Sequence, residues 1–278
     1  MNSLVRLAAA LAAAVLVAQP ALAQQEKPYQ PLVGQPGKDV IWVPTPDEVV
    51  DRMLTMAQVT KDDLVYDLGA GNGKIAIAAA KKFGARAIGV EYNPDMARHA
   101  QGNVEAAGVA DRAKIVQGDI FATNFSEATV VTMYLLPVLN LKLRPTILAM
   151  RPGTRVVSHS FTMEDWEPDE VSVLDTRRVY FWVVPANVAG VWQFDSGAER
   201  HELNLEQRYQ KIEGSMTLAP TVLAGLRDPR VRGFHIRFSL VGADGVERAY
   251  TGSVADGRME GGWRADDGTE GRWTAIKR

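Results

Sequence analysis

The period of the apolar positions changes near Pro185, and that change divides the chain. Before it, short apolar runs alternate with stretches whose apolar residues recur every three or four positions, as strands and helices do in turn. Val49, Val50, Met53 and Leu54 form one helical stripe. Leu64–Leu68 is a run apolar enough for a strand buried on both faces, and 74–83 reads as the helix behind it. Arg86–Glu91 predicts a second strand. Asn93-Pro94 opens a helix to about Ala107, with Met96, Ala97, Ala100 and Val104 inward. Ala113–Gln117 and Ala128–Tyr134 predict the third and fourth strands, Pro137–Met150 a helix, and Gly153–Ser158 the fifth strand. Val171–Leu174 and Val179–Val184 pair as a hairpin across Asp175-Thr-Arg-Arg. After Pro185 the alternation is strict: Trp192 with Phe194, Leu203 with Leu205, and Phe234, Ile236, Phe238 and Leu240 against His235, Arg237 and Ser239. Asp244-Gly245, Asp256-Gly257 and Asp267-Gly268 are hairpin turns, with Trp263 and Trp273 on the strands that follow. This half predicts an antiparallel meander, a barrel or sandwich of roughly six to eight strands.

The junction of the first long strand and its helix carries the chemistry. Asp67-Leu-Gly69-Ala70-Gly71-Asn72-Gly73 packs glycines where the chain reverses and a ligand must approach the backbone. The helix N-terminus behind them offers free N–H groups and partial positive charge. Spacing separates the candidate ligands. The dinucleotide fingerprint G-x-G-x-x-G would need glycine where Lys74 stands, and a P-loop would need glycine at Leu68 and a hydroxyl at Ile75. Asp67, ending the strand, suits a cationic ligand better than a pyrophosphate. Glu91 ends the second strand roughly twenty residues past the glycines, where a carboxylate binds a ribose diol. Tyr92 follows it, placed to lie against an adenine.

Composition narrows the rest. The chain has 278 residues and a net charge of −2, so no global basic field points to nucleic acid. The absence of cysteine excludes disulfides, thiolate zinc sites and cysteine nucleophiles. The four histidines follow no metal-binding spacing. Residues 1–23 read as a signal peptide, with Arg6 as the positive region, Leu7–Ala18 as the apolar region and Ala21-Leu22-Ala23 as the cleavage site. Read as an uncleaved inner-membrane anchor, the stretch sends the rest outward just the same, so a periplasmic or exported protein is expected. Residues 24–44 predict an extended lead-in anchored by Tyr29 and Trp42. Thr45, Pro46 and Glu48 read as a capping box opening the first helix.

The Asp67–Gly73 pattern resembles motif I of the class I S-adenosylmethionine-dependent methyltransferases. Together, Val43-Pro-Thr-Pro46, Tyr66–Gly73, Val131–Pro137, Asn140–Pro145 and Val157-Ser-His159 resemble the branch with the ATP synthase c-subunit lysine methyltransferases and their small bacterial homologues. The resemblance covers about residues 40–185. It implies a Rossmann-like seven-stranded α/β sheet over 45–185, with the antiparallel β domain at 189–278 appended. It implies S-adenosyl-L-methionine as cofactor, with Gly69–Gly73 around its methionine half, Asp67 facing it, Asp119 accepting from the adenine amino group and Ile120 covering the ring. The capped helix start makes Thr45 a further contact. Thr132–Pro137 would line the methyl-transfer channel, with Tyr134, Leu135 and Pro137 as the candidate reactive wall and His159 facing the same region. The implied acceptor is a nucleophile such as a protein lysine nitrogen, and no general base is identifiable in the sequence.

Two other readings stand beside this one. An exported binding protein with a vestigial methyltransferase domain fits the export signal, its β module binding a ligand or an envelope or membrane-associated partner. Arg227, Arg230, Arg232 and Arg237 would serve there as a docking cluster or merely as a solvated face. A nicotinamide oxidoreductase conflicts with Lys74.

Overall fold

The computed structural model describes residues 29–197, 200–219 and 222–278. The expected signal peptide and the start of the lead-in lie outside the described residues. Two sheets account for the described chain. The first contains β1 (Leu64–Leu68), β2 (Arg86–Glu91), β3 (Ala113–Gln117), β4 (Val130–Met133), β5 (Arg155–His159), β6 (Glu170–Leu174) and β7 (Arg177–Val183). Their order is β3-β2-β1-β4-β5-β7-β6. The first five strands are parallel and β7 and β6 are antiparallel at one edge. Four helices, α1 (Asp47–Met56), α2 (Lys74–Phe83), α3 (Pro94–Ala106) and α4 (Pro137–Leu148), cover its faces.

The sequence explains the close layering. All five residues of β1 are buried. The inward stripe of α2 is largely alanine, so this helix sits close to the sheet beside Val49, Val50, Met53 and Leu54 of α1. Asn93 caps α3, its side-chain oxygen accepting from the N–H groups of Asp95 at 2.9 Å and Met96 at 3.0 Å. On the other face, Leu139, Leu143 and Ile147 of α4 pack with Trp166 and Trp182.

Five local expectations change. The helix start at residues 45–48 is no capping box: Pro46 holds the N-cap position without a side-chain cap, and Glu48 pairs with Arg177 at 3.0 Å. The fourth strand is shorter than expected and the fifth runs on to His159, while the link in the edge hairpin shrinks to Asp175 and Thr176. The lead-in is also not extended. Gly34 N–H donates to Trp42 O at 2.8 Å, Trp42 N–H to Gln35 O at 2.9 Å and Gly37 N–H to Val40 O at 2.8 Å, folding 34–42 into a tight hairpin, here called the strap.

The second sheet contains β8 (Gly190–Asp195), β9 (Arg200–Arg208), β10 (Lys211–Ala219), β11 (Val222–Gly225), β12 (Arg227–Arg232), β13 (His235–Val241), β14 (Glu247–Ala255), β15 (Arg258–Ala265) and β16 (Glu270–Lys277). Because β9 also pairs with β10, eight of these strands close into an antiparallel barrel, with β11 attached to β10. Its interior is filled by Trp192, Phe194, Phe238, Tyr250 and Trp273, with ring centroids 4.9–6.4 Å apart where they meet. Small closed barrels are filled by side chains in this way. The arginine cluster faces outward: Arg230 lies opposite Arg237, Arg227 pairs with Glu247 at 2.8 Å, and Arg232 lies over the Phe181 ring at 5.9 Å. Among the described residues, no helix is long and apolar enough to cross a membrane.

Candidate active site

The carboxyl ends of β1, β2 and β4 open into a cavity of about 360 Å³. Open parallel sheets bind ligands at this edge, because the strand-to-helix turns there present N–H groups and short side chains. The glycine turn forms one wall, with Gly69, Gly71 and Gly73 at positive φ (83°, 54° and 80°). Gly71 has two reasons to be glycine. Its φ is left-handed, and a Cβ there would lie 2.4 Å from Trp42 Nε1 on the strap. Gly89 on β2 does a related job: a Cβ would strike both Ala70 and Ile115, so its absence lets the turn rest on the sheet.

Four carboxyl groups line the cavity: Asp39 on the strap, and Asp67, Glu91 and Asp119 at the strand-end edge of the sheet. Asp67 is buried and takes one hydrogen bond, from Thr132 Oγ1 at 2.8 Å. Burial pushes its carboxyl up to about 7, the Thr132 hydroxyl opposes this, and the Glu91 charge adds to it. No cation pairs with it among the described residues. Glu91 accepts from Gly71 N–H at 2.9 Å through one oxygen and from Asn93 N–H at 2.9 Å through the other. Burial raises its pKa, and these hydrogen bonds hold it down. Asp119 accepts from Phe121 N–H at 2.9 Å and pairs with Lys38 Nζ at 2.7 Å. The hydrogen bond from Lys38 holds Asp119 below the ordinary carboxylate range. Lys38 also lies 4.8 Å from the centroid of the half-exposed Tyr92 ring. The sequence reading missed this strap, whose residues 35–42 supply more than a quarter of the cavity lining. Lys38 carries no motif that would have flagged it.

A further stretch of the lining is apolar: Tyr134, Leu135 and Leu136 after β4, Leu139 of α4, Ile120, and Phe161 beyond β5. Tyr134 stacks with Phe161 at 6.0 Å between centroids and 19° between planes, and packs on His159 at 4.0 Å. Thr45, Ala70 and Asn72 also line the cavity; Gly73 and Pro137 do not. Gly73 is the N-cap of α2, where an added Cβ would press on Ile115 and Ala100. Pro137 occupies the first turn of α4, where proline's missing N–H is harmless. His159 is buried behind the wall rather than in it. Its Nδ1 lies 3.4 Å from Thr45 Oγ1, so the Thr45 hydroxyl points to this imidazole rather than to the start of α1. Burial pushes His159 down to about 4, leaving the ring neutral near pH 7.

This strand order, with a glycine turn after β1 and acids ending β1 and β2, defines a Rossmann-like methyltransferase. The comparisons agree. The model of the ANTKMT methyltransferase domain matches residues 67–170. A protein-lysine N-methyltransferase of Saccharolobus islandicus (strain REY15A) is 48% identical over 151 residues, covering 52% of this chain and 94% of that protein. The Homo sapiens ATP synthase C-subunit lysine N-methyltransferase is 30% identical over 132 residues, 47% of this chain and 56% of its own length. The crystal structure of an RNA methyltransferase from Salinibacter ruber in complex with S-adenosyl-L-homocysteine is 50% identical, with a TM-score of 0.52, over 52% of this chain and 96% of that one. The chain belongs to the S-adenosylmethionine-dependent methyltransferase family that includes these lysine methyltransferases. The barrel strands, from Gly190 onward, lie outside the residues matched by the family model.

The site fits the family's cofactor on its own evidence. A buried carboxyl without a cationic partner among the described residues matches a sulfonium or α-ammonium group, and Gly69, Ala70, Gly71 and Asn72 line the same cavity beside it.

Proposed function

We propose that this chain is an exported protein-lysine N-methyltransferase using S-adenosyl-L-methionine. The observation that carries the proposal is the lining of one cavity: carboxyls of Asp67, Glu91 and Asp119 share it with the apolar wall of Tyr134, Leu135 and Leu136. The cofactor would supply an electrophilic methyl group on a positively charged sulfur. Gly69–Asn72 and Asp67 would hold its methionine half, Glu91 the ribose, and Asp119, Ile120 and Tyr92 the adenine. Methyl transfer is an in-line displacement that depends on alignment. The Tyr134 and Phe161 rings would hold the lysine stem, with cation–π contact favouring its charged form on arrival. The lysine nitrogen must shed a proton, since its free pKa is about 10.4. The neutral imidazole of His159 fixes the Tyr134 ring from behind.

The RNA methyltransferase relative raises nucleic acid as a second acceptor class. The mouth of the cavity argues against it. Among the described residues its two lysines, Lys38 and Lys74, are committed to Asp119 and to Asp47 at 2.7 and 2.8 Å, and no arginine lines it. Phosphate recognition draws on free cations.

Titration of the mature chain with S-adenosylmethionine and S-adenosylhomocysteine tests the cofactor half. Failure to bind at millimolar ligand would sink it. Mass spectrometry of envelope proteins from cells with and without the chain tests the acceptor: lysines shifted by about 14 daltons per added methyl group support a protein acceptor, and methylated RNA with unmodified lysines overturns it. Export is read from Leu7–Ala18 and Ala21-Leu22-Ala23. An N-terminus at Gln24 on the protein recovered from the periplasm is the expected result.

A further inference from the structure

We propose that the barrel braces the acceptor wall of the catalytic cavity through the loop joining β5 to β6, with Tyr209 and Gln210 as positioning residues. The inference rests on the reading of Tyr134 and Phe161 as the acceptor side. The loop, residues 160–169, has two differently engaged ends. Near its start, Phe161 lines the cavity and stacks on Tyr134. Near its end, Asp165, Trp166 and Glu167 are gripped by the turn between β9 and β10. Tyr209 stacks on Trp166 at 6.0 Å and 28°, and its hydroxyl donates to Asp165 Oδ2 at 2.9 Å. Buried Gln210 donates from Nε2 to Glu167 O at 2.6 Å. Trp166 is fully buried, with the Trp182 ring of β7 also 6.0 Å from it.

The loop also carries backbone strain that needs outside support. Ser160 and Glu164 hold left-handed φ values of 63° and 54° without being glycine. Such conformations persist where the surroundings over-determine them. The same support reaches α4, whose N-terminal end follows Leu135 and Leu136. Asn140 Nδ2 donates to Thr162 O at 3.2 Å and, more weakly, to Phe161 O at 3.4 Å. Arg144 donates to Met163 O at 2.9 Å and to Asp165 at 2.5 Å, and its guanidinium lies 5.5 Å from the Tyr209 ring. The β9–β10 turn, the loop and α4 therefore form one packed unit that ends on the wall of the cavity. The barrel interior is filled with aromatic side chains. What the barrel offers the site is a rigid outer support for the loop that carries Phe161.

Hydrogen–deuterium exchange on the full-length chain tests this with the parent, Tyr209→Ala and Tyr209→Phe. In Tyr209→Ala, the amides of 159–163 and 134–140 should exchange on the order of tenfold faster, while those of 67–75 stay at parental rates. Affinity for S-adenosylhomocysteine should remain within about twofold, since the cofactor wall is not part of the braced unit. Tyr209→Phe keeps the ring on Trp166 and should restore near-parental exchange. Acceleration confined to 164–169 would overturn the proposal, because the turn would then be a local staple. So would equal acceleration through β1 and α2, which would mark loss of global stability. The exchange readout needs no ligand, so it stands or falls separately from the methyl-transfer reading.

Discussion

Lys38 Nζ lies 2.7 Å from Asp119 Oδ2, joining the tip of the strap to the carboxylate proposed for the adenine amino group. The ligand and the strap therefore compete for one acceptor. Lys38→Met should tighten S-adenosylhomocysteine binding about two- to fivefold, the scale of an exposed ion pair, and the gain should shrink at high salt. Calorimetric titration at low and high ionic strength checks both. Weaker binding by the variant would instead make Lys38 a ligand contact.

Asp67 and His159 set opposite pH dependences on stability. The Asp67 carboxyl is raised from 3.8 to about 7, so its folded state favours the neutral form. Its contribution is fully present below about pH 4 and is lost as pH rises to 7. His159 is lowered from 6.5 to about 4, so its contribution is present above 6.5 and lost as pH falls toward 4. Asp67→Asn should stabilise the ligand-free protein at pH 8 by about 2–4 kcal/mol and little at pH 4. Thermal melts across this range check it.

Cofactor binding should couple to the same proton. A cationic ligand favours ionised Asp67, so affinity for S-adenosylmethionine should rise between pH 6 and 8 with proton release. Calorimetry in buffers of different ionisation enthalpy measures that release. Asp67→Asn should abolish it and weaken binding.

Glu91 serves the turn as well as the proposed ribose. Because its oxygens accept from Gly71 and Asn93, Glu91→Ala leaves two N–H groups unpaired. The expected loss of cofactor affinity is about 10- to 100-fold, the scale of charge-assisted hydrogen bonds. Glu91→Gln should retain part of it, and titration of both variants decides.

Gly71→Ala should release the strap. The added methyl would meet the Trp42 indole at a left-handed φ. A cost of about 1–3 kcal/mol is expected, with faster tryptic cleavage at Lys38. Unchanged cleavage would show that the strap is held without this contact.

Elements whose causes are local could be read from the chain alone. The buried run of Leu64–Leu68, the glycine turn behind Asp67, the Asn93 cap and the Asp-Gly hairpins of the second half each follow from neighbouring side chains and φ preferences, so they could be read directly. The acids at 67, 91 and 119 were legible as well, because strand ends in a parallel sheet converge on one edge. The non-local partners became visible with the packing of the layers. The strap is tied to the site where Lys38 meets Asp119, 81 positions away, and Thr45 turned from its expected cap to His159, 114 positions away. Barrel closure depends on β9 reaching β10 as well as β8, and the seat of Trp166 on Tyr209. Such contacts are set by how finished layers pack, and neither residue's neighbours in sequence carry a trace of the partner.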